Sequence, residues 1–253
     1  MRQNIVGIIP AAGLGSRLGQ IPFSKELYPI GFKADGSSKV VSEYLLEMMR
    51  EAGAEQVYFI LRNGKWDIPG YFGDGSNYNL AFAYLLMNRP YGTPFSVDQA
   101  YSFVKDKTIA FGFPDIIVEP ANVFTQLLEK QQETGATIVL GLFEVAHPHK
   151  WDMVNADDAG NVKTILPKPE NSNLTQAWCI AVWTPAFTAF MHQYLQQIEE
   201  QFIVGELKEL SMGAVIQAAI DNGMIVQSVC FSGDSCLDVG TPEDLRKAIK
   251  RLT

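Results

Sequence analysis

The chain has 253 residues, 47% of them hydrophobic and 19% charged, a balance that suits a soluble globular protein with a sizeable core. Twenty Lys and Arg against 28 Asp and Glu leave a net charge of -8, which repels a phosphate backbone and disfavours a nucleic-acid partner. No apolar run reaches the roughly 18 residues of a membrane-spanning helix, and Cys179, Cys230 and Cys236 lack the CxxC spacing of a zinc or redox site. The expectation is a single cytoplasmic domain over residues 1–253 with reduced thiols and no membrane contact.

Residues 4–10 (NIVGIIP) form a short apolar run before a glycine-rich segment, the pattern of a strand buried on both faces. Val40, Val41, Tyr44, Leu45, Met48, Met49 and Ala52 then recur at helical spacing, and Gly53 closes the helix. A second buried strand follows at 56–61 (QVYFIL). Strand, loop, helix, strand specifies parallel pairing through a right-handed crossover. Residues 63–79, rich in Gly, Asp, Asn and aromatics, read as a long loop. Further strands are expected at 80–86, 108–113, 136–143, 178–183 and 225–231, with helices at 121–133, 185–202 and 212–222. Thr241-Pro242-Glu243-Asp244 places a hydroxyl at an N-cap, proline at the first helical position and an acid three residues past the cap. A terminal helix to about residue 251 follows.

The first strand leads into Pro10-Ala11-Ala12-Gly13-Leu14-Gly15-Ser16-Arg17-Leu18-Gly19, then Pro22-Phe23-Ser24-Lys25. Small residues let backbone N–H groups wrap a polyphosphate, and Arg17 and Lys25 can bring positive charge to it. A dinucleotide fingerprint from Gly13 requires glycine at Leu18, and a P-loop requires Gly-Lys at 18 and 19, so spacing excludes both. A lone GxG is equally a plain strand-to-helix turn. Asp115 follows the strand at 108–113, and Asp238 precedes the last helix. Carboxylates at the carboxyl ends of neighbouring parallel strands converge on the crevice where open α/β sheets bind ligands, and two can hold one Mg²⁺. Taken singly, each is also an ordinary turn or helix-terminus acid.

GxGxR, a spacer and the lysine segment together resemble the signature of the sugar-1-phosphate nucleotidyltransferases, including the glucose-1-phosphate uridylyl- and thymidylyltransferases. Tyr28-Pro29-Ile30 and Lys39–Tyr44 are similar to the family's approach to its first helix, with an insertion at 31–38. Asp-Val-Gly-Thr-Pro-Glu-Asp-Leu from Asp238 matches its last motif almost letter for letter. The resemblance implies a Rossmann-like α/β fold of the nucleotide-diphospho-sugar transferase type, a mixed, mostly parallel sheet flanked by helices. It also implies a Mg²⁺-dependent enzyme that moves a nucleoside monophosphate from a nucleoside triphosphate, dTTP or UTP favoured, to a sugar 1-phosphate. Arg17, Lys25 and Lys168 are then catalytic. Ala12, Gly13, Leu14, Gly15, Ser16 and Gly92 bind the nucleotide, and Asp115 and Asp238 hold the metal.

Departures from the family pattern bear on the acceptor. Ser24 stands where proline usually precedes the lysine, and Pro167 replaces the glutamate of the Glu-Lys-Pro segment whose lysine, here Lys168, contacts the acceptor phosphate. Trp151-Asp152-Met153-Val154 replaces a Gly-Val-Val-like strand, and Cys179-Ile180-Ala181 a Gly-Leu/Ile-Tyr one. Tyr91-Gly92-Thr93-Pro94 resembles the base-recognition loop, but Met87 stands nearest the position of the base-reading glutamine. Other readings are a cytidylyltransferase acting on phosphocholine or another phosphorylated acceptor, a glycosyltransferase, disfavoured by the lack of Asp-x-Asp, and a non-catalytic nucleotide-sugar-binding relative. Related enzymes often form dimers or tetramers, so a homo-oligomer is open. Nothing after the terminal helix supplies a second catalytic or left-handed β-helix domain, so the transferase domain alone is expected. His147, His149 and His192 receive no role.

Overall fold

The computed structural model describes residues 4–13, 15, 18, 19, 21–89, 91–203, 205, 209–231, 233 and 236–252. Its centre is a nine-stranded sheet. Strand β1 (Ile5–Pro10) pairs in parallel with β4 (Gln56–Leu61) on one side and β6 (Thr108–Gly112) on the other, and β4 pairs in parallel with β5 (Ala81–Leu86). Beyond β6 comes the long strand β11 (Gln176–Trp183), antiparallel to it and to β8 (Ile138–Glu144). The parallel strand β12 (Val226–Phe231) lies beside β8. A hairpin of β9 (Asp152–Ala156) and β10 (Val162–Pro167) joins the first half of β11 through the pair Ala177↔Met153.

Helix α1 (Val41–Glu51) and α5 (Val123–Thr134) cover one face, while α3 (Thr93–Asp98), α4 (Tyr101–Val104), α6 (Pro185–Ile203) and α7 (Met212–Asp221) cover the other. Successive strand residues point to opposite faces, and consecutive Ile8 and Ile9 enter different apolar clusters, at 1% and 0% exposure. This accounts for the unbroken apolar run in β1, which needs a hydrophobic side chain on both faces. The mixed, mostly parallel sheet with flanking helices is the architecture expected from the sequence. Among the described residues no helix is long and apolar enough to cross a membrane.

Two stretches differ from expectation. Residues 63–79 are not a loop throughout: they contain helix α2 (Asp67–Phe72) and a 3₁₀ turn at Ser76–Tyr78. Ile68 and Phe72, four residues apart, are both buried, and Phe72 stacks on Phe59 at 5.5 Å. Pro69 and the glycines at 70, 73 and 75 obscure that spacing in the sequence. The insertion at 31–38 is the turn of a small hairpin, β2 (Pro29–Phe32) and β3 (Ser38–Val40), closed where Asp35 accepts the Ser37 backbone N–H at 2.9 Å. A second small ladder, β7 (Ile116–Val118) against β13 (Cys236–Asp238), precedes the terminal helix α8 (Pro242–Leu252). The helix has the expected cap: Asp244 N–H donates to Thr241 Oγ1 at 3.2 Å, and that hydroxyl donates to Asp244 at 2.6 Å.

Candidate active site

The carboxyl ends of β1 and β6 open on a cleft of about 660 Å³. Gly13 and Gly15 border it from the loop after β1, Asp115 from the turn after β6, and Asp238 from the end of β13. Lys168 borders it from just beyond β10. Ala12, half-buried, packs against the core at the root of the glycine loop. Leu14, Ser16 and Arg17 lie outside the described residues.

Asp115 and Asp238 come from sequence positions far apart, and backbone pairing sets them side by side. In the β7–β13 ladder Asp238 stands opposite Ile116, and the Val239 N–H donates to the Asp115 carbonyl at 2.9 Å. Asp238 is further held by the Gly240 N–H, which donates to its carboxylate at 2.7 Å. Asp115 is buried at 8% exposure and forms an ion pair with the Lys25 ammonium. Burial alone pulls the Lys25 pKa down, yet Asp115, Glu26 and Asp238 around it outweigh that and hold it above the usual lysine value. The ammonium is therefore charged across the physiological range. The Lys25 stem runs under the glycine loop, with Cδ within 3.6 Å of where a Cβ on Gly15 would stand.

A buried frame fixes that lysine. Ser24, the departure from the family's proline, donates its N–H and hydroxyl to Asp67 of α2. Next to Lys25, Glu26 turns inward and accepts from Lys65 at 2.6 Å, with 1% and 7% of the two side chains exposed. Burial raises the Glu26 pKa and lowers that of Lys65, each opposed by the other's charge. The sequence reading missed Lys65 and Asp67, whose partners lie 39 and 43 residues away.

On the opposite wall Lys168 has φ 39, a left-handed conformation uncommon for a residue with a side chain. Its N–H donates to the Trp151 carbonyl at 3.1 Å, extending the β9–β10 pairing past Pro167↔Asp152. Asp152 and Trp178, together with Lys150, also border the cleft. Burial pushes the Asp152 carboxyl above the ordinary carboxylate range, opposed by the Ser211 hydroxyl, the Gly213 N–H and Lys168.

Gly92 has a different setting from the other glycines singled out. It pairs with Leu210, and a Cβ there would come within 2.1 Å of the Leu210 carbonyl oxygen, at a φ of 111. Backbone crossing accounts for that glycine, and it is Thr93 that borders the cleft. Met87 is buried in the apolar core. His149 borders the cleft, whereas His192 binds Asp98 at 2.9 Å and stacks on Tyr101, away from it. The three cysteines are free thiols, and Sγ of Cys179 lies 3.8 Å from Sγ of Cys236.

Comparison with known proteins gives the family and the fold. The sequence profile of the family described as nucleotidyl transferase matches residues 6–253. The low-salt glycan biosynthesis nucleotidyltransferase Agl11 of Haloferax volcanii is 28% identical over 246 residues, covering 96% of this chain and 64% of that protein. The glucose-1-phosphate thymidylyltransferase of Streptomyces antibioticus is 27% identical over 229 residues, 89% of this chain and 60% of the relative. The chain thus spans a little under two thirds of these relatives. Among solved structures, a candidate glucose-1-phosphate thymidylyltransferase from Bacillus anthracis, in complex with a sucrose, superposes with a TM-score of 0.84 at 19% identity. That match covers 98% of this chain and 95% of the other. A UDP-glucose pyrophosphorylase complexed with UDP-glucose gives 0.80 at 18%, covering 98% of each.

Proposed function

The chain belongs to the nucleotidyl transferase family, and from that premise we propose that it transfers a nucleoside monophosphate from dTTP or UTP to a sugar 1-phosphate. The observation that carries this reading is the meeting of Lys25, Asp115, Asp238 and Lys168 around one cleft beneath the glycine loop. Such a cleft has cations for phosphates on two walls and a pair of acids between them. An oxygen of the acceptor phosphate attacks the α-phosphorus in line. The bond from that phosphorus to the bridging oxygen breaks, and pyrophosphate leaves with the electron pair. Catalysis of this kind depends on positioning and on stabilising the charge of the transferring group, and it needs no covalent nucleophile.

Each residue has a part in this reading. Lys25 stabilises charge on the donor phosphates, and its raised pKa keeps it cationic throughout. Lys168 holds the acceptor phosphate. Backbone N–H groups near Gly13 and Gly15 embrace the triphosphate, with Arg17 as a further cation. The donor set of Asp115 and Asp238 fits Mg²⁺, which takes oxygen ligands, keeps several waters and is commonly held by one or two carboxylates plus substrate phosphates. Among the described residues no cluster of three or more His, Cys, Asp or Glu offers a fuller cage. When bound, the ion neutralises charge on the phosphates. The names of the thymidylyl- and uridylyltransferase relatives support dTTP or UTP as donor and glucose 1-phosphate as a first acceptor to try.

The test is pyrophosphate release, with Mg²⁺ and with chelator, crossing dTTP, UTP, CTP, ATP and GTP against glucose, galactose, mannose and N-acetylglucosamine 1-phosphates. Release that requires dTTP or UTP, a sugar 1-phosphate and Mg²⁺ together is the expected result. Absence of release for every pair, with the protein folded, overturns the reading.

A further inference from the structure

The acceptor wall holds two buried polar atoms without a hydrogen-bond partner among the described residues: Oδ1 of Asp152 and Nε1 of Trp178. Such atoms are uncommon, because each forgoes roughly 1–3 kcal/mol of hydrogen bonding that water supplied in the unfolded chain. Both belong to residues that border the cleft next to Lys168. One is an acceptor and the other a donor.

Their placement follows from the strand pairing. Ala177 of β11 is paired antiparallel with Met153 of β9, and Trp178 and Asp152 are the residues next to that pair on the two strands. Paired residues share one face of the sheet and the next residue on each strand points to the other, so Asp152 and Trp178 project to a common face. The other Asp152 oxygen is fixed, accepting the Gly213 N–H at 3.1 Å. That contact is so close that a Cβ on residue 213 would sit 2.3 Å from the carboxylate oxygen. The Trp178 ring is fixed too, at 3% exposure and against Phe111 and Phe113. Neither side chain can turn away to find water without losing those contacts.

We propose that Asp152 and Trp178 together bind one hydroxyl of the acceptor sugar and thereby select among sugar 1-phosphates, the hydroxyl accepting from the indole N–H and donating to the carboxylate. A hydroxyl is the small neutral group that does both at once. A bare quaternary ammonium satisfies the carboxylate's charge but leaves the indole N–H unpaired. Lys168, on the same wall, holds the phosphate, so the pair sets which hydroxyl of the ring reaches the far contact. The assignment supplies an acceptor-binding carboxylate to a chain that has Pro167 where relatives of this type carry glutamate. It rests on the transferase reading above.

The experiment takes the fastest acceptor among the four sugar 1-phosphates named above and a set of analogues each lacking one hydroxyl. The kcat/KM for pyrophosphate release is compared for the native chain, Asp152→Asn and Trp178→Phe. The native chain should disfavour one analogue by at least about 10²-fold, since a site built to bind a hydroxyl rejects the ligand without it. Both variants should lower kcat/KM for the full sugar while leaving that analogue nearly unaffected and KM for the nucleotide unchanged. A merely structural role does not produce selectivity confined to one hydroxyl. Equal use of all analogues by the native chain, or discrimination that survives in both variants, overturns the proposal while leaving the transferase reading intact. Absence of release with every sugar removes that reading and this proposal together.

Discussion

Ser24 donates both its backbone N–H and its hydroxyl to the carboxylate of Asp67, at 2.6 and 2.8 Å, and thereby fastens the residue before Lys25 to helix α2. Proline at this position has neither donor. The serine is thus matched to Asp67, 43 residues away. Ser24→Ala removes one of the two bonds and should cost about 1 kcal/mol in denaturant unfolding. Ser24→Pro removes both, leaves the part-buried carboxylate without them, and should cost about 1–3 kcal/mol. An Asp67→Ala background should make the Ser24→Pro change nearly neutral, which a double-mutant cycle would read directly.

The Glu26–Lys65 pair behind Lys25 makes a sharper stability prediction. Removing one member of a buried ion pair strands the other charge, at a cost of about 3–5 kcal/mol, whereas apolar replacement of both is often neutral. Lys65→Met should therefore destabilise strongly, and Glu26→Leu/Lys65→Met should recover most of the loss. Equal destabilisation by the single and double variants would show that Glu26 has another compensating partner.

Asp238→Asn should retain the fold and lose at least about 10²-fold in turnover, the scale on which charge stabilisation at a transferring group operates. Asp115→Asn should in addition need more Mg²⁺ for half-maximal rate. A near-native rate for Asp238→Asn, measured by pyrophosphate release, would remove that residue from the proposed metal site.

Asp152 makes stability depend on pH. Its folded pKa is raised, so between the ordinary carboxylate value of about 3.9 and its folded value the native state binds the extra proton. In that window the native chain loses stability as pH rises, and the penalty is complete above it. Asp152→Asn does not titrate. The melting temperature of the variant relative to the native chain should rise across the same window and then level off. A difference that stays flat across pH would show that the carboxyl is not perturbed.

Much of the architecture is legible from apolar periodicity. Both the doubly buried run of β1 and the capped helix α8 have local signatures, and the structure places them as expected. Asp115 and Asp238 do border one cleft, but what brings them together is the antiparallel β7–β13 ladder beside the main sheet, and not the neighbouring parallel strands expected from the sequence. What escapes a linear reading is anything defined by a distant partner: the inward-facing Lys65, the anchor of Ser24, and the meeting of Asp152 and Trp178 at one cleft. Gly92 shows the reverse difficulty. Its glycine resembles a nucleotide-loop residue, yet the approach of Leu210 already demands it, and Gly92→Ala should cost roughly 2–5 kcal/mol from strain and overlap combined.

One edge of β11 is shared. Its second half, Ile180–Trp183, is zipped to β6 and so to the parallel sheet that carries the glycine loop, whereas its first half receives the β9–β10 hairpin through a single register pair. The cleft therefore has two walls of different tenure. The wall that carries the glycine loop, the nucleotide side on the proposed reading, is continuous with that sheet. The wall that carries Asp152 and Lys168 is a hairpin held by one register pair to β11 and by α7, where the Ile165 N–H donates to Gln217 at 2.6 Å, so on the proposed reading its side chains could change the acceptor while the nucleotide side stays the same.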